Sequence, residues 1–147
     1  EGVDLAQNRI DGTEYNIDIL NDLKGNFIHA SVKKKLLMRA GETDKATMVY
    51  DADLFSFAKQ ISKATSHVGN LDMDVLIDNN NKPYIIDMNA RFGGGYPFSH
   101  MAGVDLPYAI IKWLNNDYVD GNILKERIGI ISHKDIEIVK IIGSENH

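Results

Sequence analysis

Residues 14 to 20, EYNIDIL, alternate between apolar and polar, with Tyr15, Ile17 and Ile19 on one face and Glu14, Asn16 and Asp18 on the other. A period of two marks a half-buried strand, because successive side chains on extended backbone point to opposite sides. Lys24-Gly25-Asn26 reads as a turn and Phe27 to Val32 as a second strand, so a hairpin is expected. A basic stretch (Lys33, Lys34, Lys35 and Arg39) then leads through Gly41 and Glu42 to a strand at Thr47 to Tyr50. From there the period changes. Asp51 or Asp53 can cap a helix running to about Thr65, with Leu54, Phe57, Ala58, Ile61 and Ala64 on one face and His67-Val68-Gly69-Asn70 ending it. Two strands at about 71 to 77 and 83 to 89 flank the Asn-rich turn Asp78 to Lys82, and Arg91 to Pro97 forms a glycine-rich loop. A helix from about Asp105 to Asn115 turns Leu106, Ala109, Ile110, Trp113 and Leu114 inward, and Tyr108 also fits the core. Past Gly121 the tail RIGIISHKDIEIVKII reads as two short strands. The pattern predicts an α+β fold, an antiparallel sheet with packed helices. Residues 1–120 form its main lobe and 121–147 a strand-rich tail on the same unit.

Composition narrows the partners. At 147 residues, 44% hydrophobic and 25% charged, the chain can bury the core of about one domain. A net charge of -5 argues against a broad nucleic-acid footprint, which needs a basic surface to release counterions. It leaves room for an anionic nucleotide, since a bound cation inverts the local charge. With no cysteine there is no disulfide framework and no thiolate chemistry, which suits the cytoplasm. The apolar runs are too short to span a bilayer, so no membrane partner is expected. The chain opens at Glu1 with a loop-like stretch to Gly12, read here as a cut inside a larger protein.

The chemistry gathers in LDMDVLIDNNNKPYIIDMNARFGGGYP, residues 71 to 97. If the strands pair about a turn centred between Asn80 and Asn81, Asp74 opposes Asp87, Asp72 opposes Asn89, and Ile77 opposes Tyr84. Met73, Val75, Ile77, Tyr84, Ile86 and Met88 then share a core face, and Asp72, Asp74, Asp87 and Asn89 share the other. Like charges directly opposed destabilise a sheet, so this crowding asks for a cation. Hard oxygen donors suit magnesium or manganese better than zinc. A solvated outer face that carries acids by coincidence would read the same way. The residues just past the hairpin favour the cation. Arg91 can reach the acidic face with a planar fork suited to phosphate, and Gly93, Gly94 and Gly95 allow close backbone approach to a ligand.

Asp87-Met88-Asn89-Ala90-Arg91 resembles the E-x-N-x-R signature that ends the ATP-grasp catalytic hairpin. Phe92-Gly93-Gly94-Gly95-Tyr96-Pro97 is similar to the short carbamoyl-phosphate-synthase-like branch of that superfamily. Upstream, Gly12-Thr13-Glu14-Tyr15 looks like the strand start whose glutamate contacts the ribose, and Gln7-Asn8-Arg9-Ile10 like the adenine hinge. Arg39-Ala40-Gly41-Glu42 looks like a loop that supplies a cationic phosphate contact. The resemblance covers roughly residues 5 to 115 and implies the C-terminal lobe of an ATP-grasp fold. It implies ATP and two magnesium ions (or manganese) as cofactors, with Asp74, Asp87 and Asn89 as metal ligands. Arg91 and Arg39 would be catalytic, and Glu14, Ile10, Asn8 and Arg91 would hold the nucleotide. The implied reaction is ATP-dependent carboxylate–amine ligation through an acyl phosphate, with small-molecule carboxylate and amine substrates. An N-terminal lobe would lie outside this chain, and a homodimer is compatible with the resemblance. Two departures stand out: Asp87 replaces the usual glutamate, and Asn8 stands where the hinge often has an acid. They keep open the alternative of a catalytically inactive nucleotide- and metal-binding module of a larger protein.

The remaining polar residues read more plainly. Lys33, Lys34 and Lys35 could line the phosphate or acceptor pocket, but a basic run on a strand edge reads first as a solvated guard against edge pairing; Lys45 is similar, with the acceptor as its second reading. His67 reads as a capping or surface residue, His100 could face an acceptor, and His133 and His147 show no discernible chemistry. No Ser-His-Asp or Cys-His arrangement is found.

Overall fold

The computed structural model describes residues 9–135. Six strands form one antiparallel sheet in the order β5-β4-β1-β2-β3-β6. The strands are β1 (Gly12–Asn21), β2 (Phe27–Arg39), β3 (Glu42–Val49), β4 (Gly69–Asp78), β5 (Pro83–Asn89) and β6 (Ile131–His133). Helix α1 (Ala52–Thr65) links β3 to β4, while α2 (Tyr96–Met101), α3 (Leu106–Leu114) and a 3-10 turn (Gly121–Leu124) come after β5.

Strands β2 and β3 run longer than their sequence pattern suggests. They meet at Ala40 and Gly41, both at positive φ (50° and 83°), a two-residue turn whose twist matches that of the strands it joins. This tight turn keeps the lysine run inside the ladder up to Arg39. Helix α1 starts at Asp51, whose side chain accepts from the Leu54 N–H at 2.9 Å. It ends at Ser66 in the left-handed region (φ 47°). Leu54 and Ala58 are buried and Phe57 and Ile61 pack partly against the core, but Ala64 is exposed. The α3 expectation needs a larger correction, because Tyr108 (45%) and Leu114 (64%) face outward. Leu106 and Ala109 are buried, with Ile110 and Trp113 packed beside them. Of the two strands expected in the tail, β6 forms along the edge of β3, and the second lies outside the described residues.

The sheet's odd-numbered face is apolar: Ile17, Ile19, Leu71, Met73 and Val75 join Ala30 and Val32 beneath Leu54 and Ala58 of α1. On the opposite face, Leu20 packs with Val104, Leu106, Ala109 and Leu124 of the α3 region. Elsewhere that face is polar along β1 and β4, while Met48 and Ala46 of β3 stand opposite Lys33 and Lys35, and α2 lies against β2 and β3 there. Asn16 and Asp18 are buried on it, so β1 is covered on both sides rather than half-solvated.

Candidate functional site

The β4–β5 pairing brings the acids together as the pattern predicts. Asp72 faces Asn89, Met73 faces Met88, and Asp74 faces Asp87. Nearer the turn the register shifts, with Val75 opposite Ile85 and Ile77 opposite Pro83 rather than Tyr84. The cause lies in the loop. The Asp78 side chain accepts from the Asn80 and Lys82 N–H groups at 2.8 and 2.9 Å, and Asn81 adopts φ 61°. This five-residue turn centres one half-step away from the assumed position, and a bulge at Ile86 restores the expected pairing at the acids. Because β5 is an edge strand, Ile86 (53%) and Met88 (43%) are exposed rather than core.

Asp72, Asp74, Asp87, Asn89 and Arg91 line one cavity of about 190 Å³, together with Asn16, Lys35, Gly94 and Gly95. The Asn16 amide donates to both Asp72 (2.7 Å) and Asp74 (2.8 Å), bridging two carboxylates. Lys35 donates to Asp74 at 2.8 Å and lies 3.4 Å from Glu14. Asn89 donates to Asp87 at 2.7 Å. Burial pushes the Asp72 carboxyl above the usual carboxylate range; its Asn16 hydrogen bond opposes this, and the Asp18 and Asp74 charges add to it.

The glycine loop roofs this cavity. A Cβ on Gly93 would collide with the Asp72 carboxylate, and one on Gly95 with the Asn16 side chain, so a larger residue at either position would have to displace that side chain. Arg91 donates to the Phe92 carbonyl at 3.1 Å and makes no ion pair among the described residues. Its guanidinium is available for an anionic ligand.

Other residues singled out by sequence fall at varying distances from this centre. Glu14 is on the acidic face and beside Lys35. Ile10 lies in the segment preceding β1, and Asn8 lies outside the described residues. Arg39 lines a neighbouring depression, where it donates to Asp44 at 2.8 Å instead of turning toward the acids. His133 of β6 is within 3.0 Å of the same Asp44 carboxylate. His100 is exposed and contacts the Tyr96 hydroxyl, and the His67 ring sits 3.1 Å from the Ile19 carbonyl. The lysine run departs furthest from expectation. Lys33 is fully buried against Asp18, and the Lys35 side chain is nearly so, because both point to the covered polar face and not to a solvated edge. Sequence reasoning missed Asn16 and Asp18, and it ranked the pocket reading of Lys33 and Lys35 behind a solvated edge. Their signal was the same alternation that marked the strands, once both faces are taken as covered.

The donor set fits a hard cation. Facing carboxylates, an amide oxygen and an acid whose anion is disfavoured chiefly by burial are the kind of donors that would gain from one. Among the described residues no three His, Cys, Asp or Glu side chains converge into a ready-made metal cage.

A family model described as "ATP-grasp in the biosynthetic pathway with Ter operon" matches residues 4–134. No curated protein sequence matches the chain significantly. Among solved structures, biotin carboxylase of Campylobacter jejuni in a β-γ-ATP complex is similar at TM-score 0.62 and 20% identity, covering 78% of this chain and 28% of that one. The biotin carboxylase domain of Hydrogenobacter thermophilus 2-oxoglutarate carboxylase, bound to MgADP, ADP and bicarbonate, matches at TM-score 0.59 and 18% identity, over 81% and 28% of the two chains. L-Amino acid ligase from Bacillus licheniformis matches at TM-score 0.54 and 20% identity, over 71% and 29%. These likenesses establish a shared fold, and the chain spans less than a third of each of the three. No helix among the described residues is long and apolar enough to cross a membrane.

Proposed function

The chain belongs to the ATP-grasp family, and from that premise we propose that it is the metal- and phosphate-binding lobe of an ATP-dependent carboxylate–amine ligase. The observation that carries this reading is the pairing of Asp74 with Asp87 in the same cavity as Asn89, Arg91 and the glycine loop. In this proposal Asp74, Asp87 and Asn89 hold magnesium, which supplies charge neutralisation on the ATP phosphates when bound. The two similar biotin carboxylase structures were determined with adenine nucleotides, one of them as a magnesium salt.

This chain's residues then act by placement and charge, the main source of catalysis in phosphoryl transfer. Arg91, which makes no ion pair among the described residues, offsets charge on the phosphoryl group as it moves to the acceptor carboxylate. Lys35 gives up part of its hold on Asp74 to the incoming cation and stays beside the phosphates. Glu14 serves the ribose, while Ile10 and Asn8 lie along the adenine. Arg39 exchanges Asp44 for phosphate oxygen. An acceptor carboxylate oxygen attacks the γ-phosphorus, the bond to the β–γ bridging oxygen breaks, and ADP leaves. An amine then attacks the acyl carbon and expels inorganic phosphate. The N-terminal lobe that would close over the nucleotide belongs to the rest of the enzyme.

The test is ADP release by the full-length protein with magnesium, ATP and a panel of amino acids, simple carboxylates and bicarbonate. Release that depends on one acceptor and falls at least 100-fold in Asp87→Ala is expected. Tight magnesium–ATP binding without release under any acceptor would instead identify a catalytically inactive nucleotide-binding module.

A further inference from the structure

Beneath the glycine loop lies a charged cluster that the ligation steps do not use. Lys33 and Asp18 are both fully buried and form an ion pair. Ser99 of α2, equally buried, accepts from the Lys33 ammonium at 2.8 Å and donates to Asp18 Oδ2 at 2.6 Å. Asn70 of β4 donates to Asp18 Oδ1 at 3.3 Å and to the main-chain carbonyl of Arg91 at 3.2 Å. Its own Oδ1 is buried without a hydrogen-bond partner among the described residues, so there the donated bonds orient this amide.

The connectivity is directional. Asn70 holds the chain at Arg91, where the glycine loop begins, and Ser99 holds α2, where the loop has ended. Both arms close on one carboxylate, and Lys33 neutralises it. A buried ion pair is seldom a better source of stability than apolar packing of the same volume, so stability alone does not call for a lysine here. Among the described residues the Arg91 side chain hydrogen-bonds only to the neighbouring Phe92 carbonyl, so its placement depends on its backbone.

Resting on the ligase reading, we propose that the Asp18–Lys33 pair is a positioning device. Through Asn70 and Ser99 it sets the height of Arg91 and the glycine loop above the phosphate cavity. Misplacing a reacting group by about 1 Å can cost on the order of 100-fold in rate.

Lys33→Met strands a buried carboxylate and can fail for lack of folding, so the full-length protein is tested as Ser99→Ala and Asn70→Ala. Each is expected to lower kcat for ADP release about 10- to 100-fold while KM for ATP moves about threefold or less. Affinity for ATP relative to adenosine, measured calorimetrically with magnesium, should fall by a similar small factor. Adding either substitution to Arg91→Ala should cause no further loss, because the residue being positioned is gone. Unchanged kcat and an unchanged ATP-to-adenosine ratio with only a lowered Tm, or losses that simply add to those of Arg91→Ala, would overturn the proposal. If wild type binds magnesium–ATP but turns over no acceptor, the ligase reading fails alone. The affinity ratio and its dependence on Arg91 then decide the positioning role. Absence of phosphate-dependent binding in wild type overturns both.

Discussion

The two faces of this sheet are built by the same strands and solved by opposite chemistry. Under α1, Ile17, Ile19, Met73 and Val75 are sealed by other carbon atoms, and each such contact tolerates small adjustment. On the other side, alternating positions of those strands carry Asn16, Asp18, Asp72 and Asp74, held by Lys33, Lys35, Ser99 and the glycine loop. There, most of the polar atoms are held by particular partners at particular distances, because an unpaired buried group costs far more than a lost contact. One face supports the fold through bulk. The other trades stability for a fixed arrangement of charge that a nucleotide and cation can complete.

The sharpest way to break this contrast is to remove one member of the buried pair. Lys33→Met should destabilise the protein by about 3–5 kcal/mol, since Asp18 is left charged and dry. Replacing both, Asp18→Leu with Lys33→Met, should recover most of that loss in urea denaturation while leaving ADP release impaired. A double variant no more stable than the single would show that the polar face supports the fold as the apolar face does.

Next in size is a cavity under α1. Ile17→Ala should cost about 2–5 kcal/mol by the same measurement, with the variability set by how far α1 settles into the space. Its effect on kcat measured well below the melting transition should be within about twofold. A larger kinetic loss would mean that the apolar face also sets the site's geometry.

How much of this was legible in the sequence obeys the same division. The apolar face could be read because hydrophobic alternation has one meaning on a strand, and the opposition of Asp74 to Asp87 came from pairing alone. It survived an error in the turn because the bulge at Ile86 compensated for it. The polar face was harder. A lysine run looks identical in sequence whether it meets water or an aspartate more than a dozen residues away, and only the fold brings Lys33 to Asp18 and Lys35 to Asp74. The six-residue helix α2 has no signature in the pattern: Tyr96 and Pro97 read as the end of the glycine loop, and the residues after them, Ser99 included, suggest no element. Arg39 was assigned to phosphate from its place in a motif, with nothing in the local pattern to reveal Asp44 and His133 as partners.

Smaller effects sharpen the picture of the acidic cavity. Lys35 occupies Asp74 as a cation would, so it competes with one. Lys35→Met should therefore tighten manganese binding in the absence of nucleotide by about fivefold, matching roughly 1 kcal/mol for a partly exposed ion pair. Asp74→Asn should weaken it. Electron paramagnetic resonance of free manganese reads both directly. Weaker binding in Lys35→Met would place the metal away from Asp74 and detach the cation from this strand pair.

The smallest effect belongs to the margin of the site, where Asp44 meets Arg39 and His133. Burial raises the Asp44 carboxyl, but the His133 hydrogen bond and the Arg39 charge outweigh it and hold the group below the usual carboxylate range. A carboxylate whose folded-state pKa is depressed adds stability above its unfolded pKa of about 3.9, and that stability is lost as pH falls through the folded value. Wild type should therefore melt above Asp44→Asn at pH 6, and the gap should close as pH drops below about 4. The sign also bears on function. If Arg39 must leave Asp44 to reach phosphate, saturating magnesium–ATP should narrow the same gap at pH 6, because the nucleotide takes over the partner that Asp44 loses. A gap that ATP leaves untouched would keep Arg39 with Asp44 and remove it from the phosphate site.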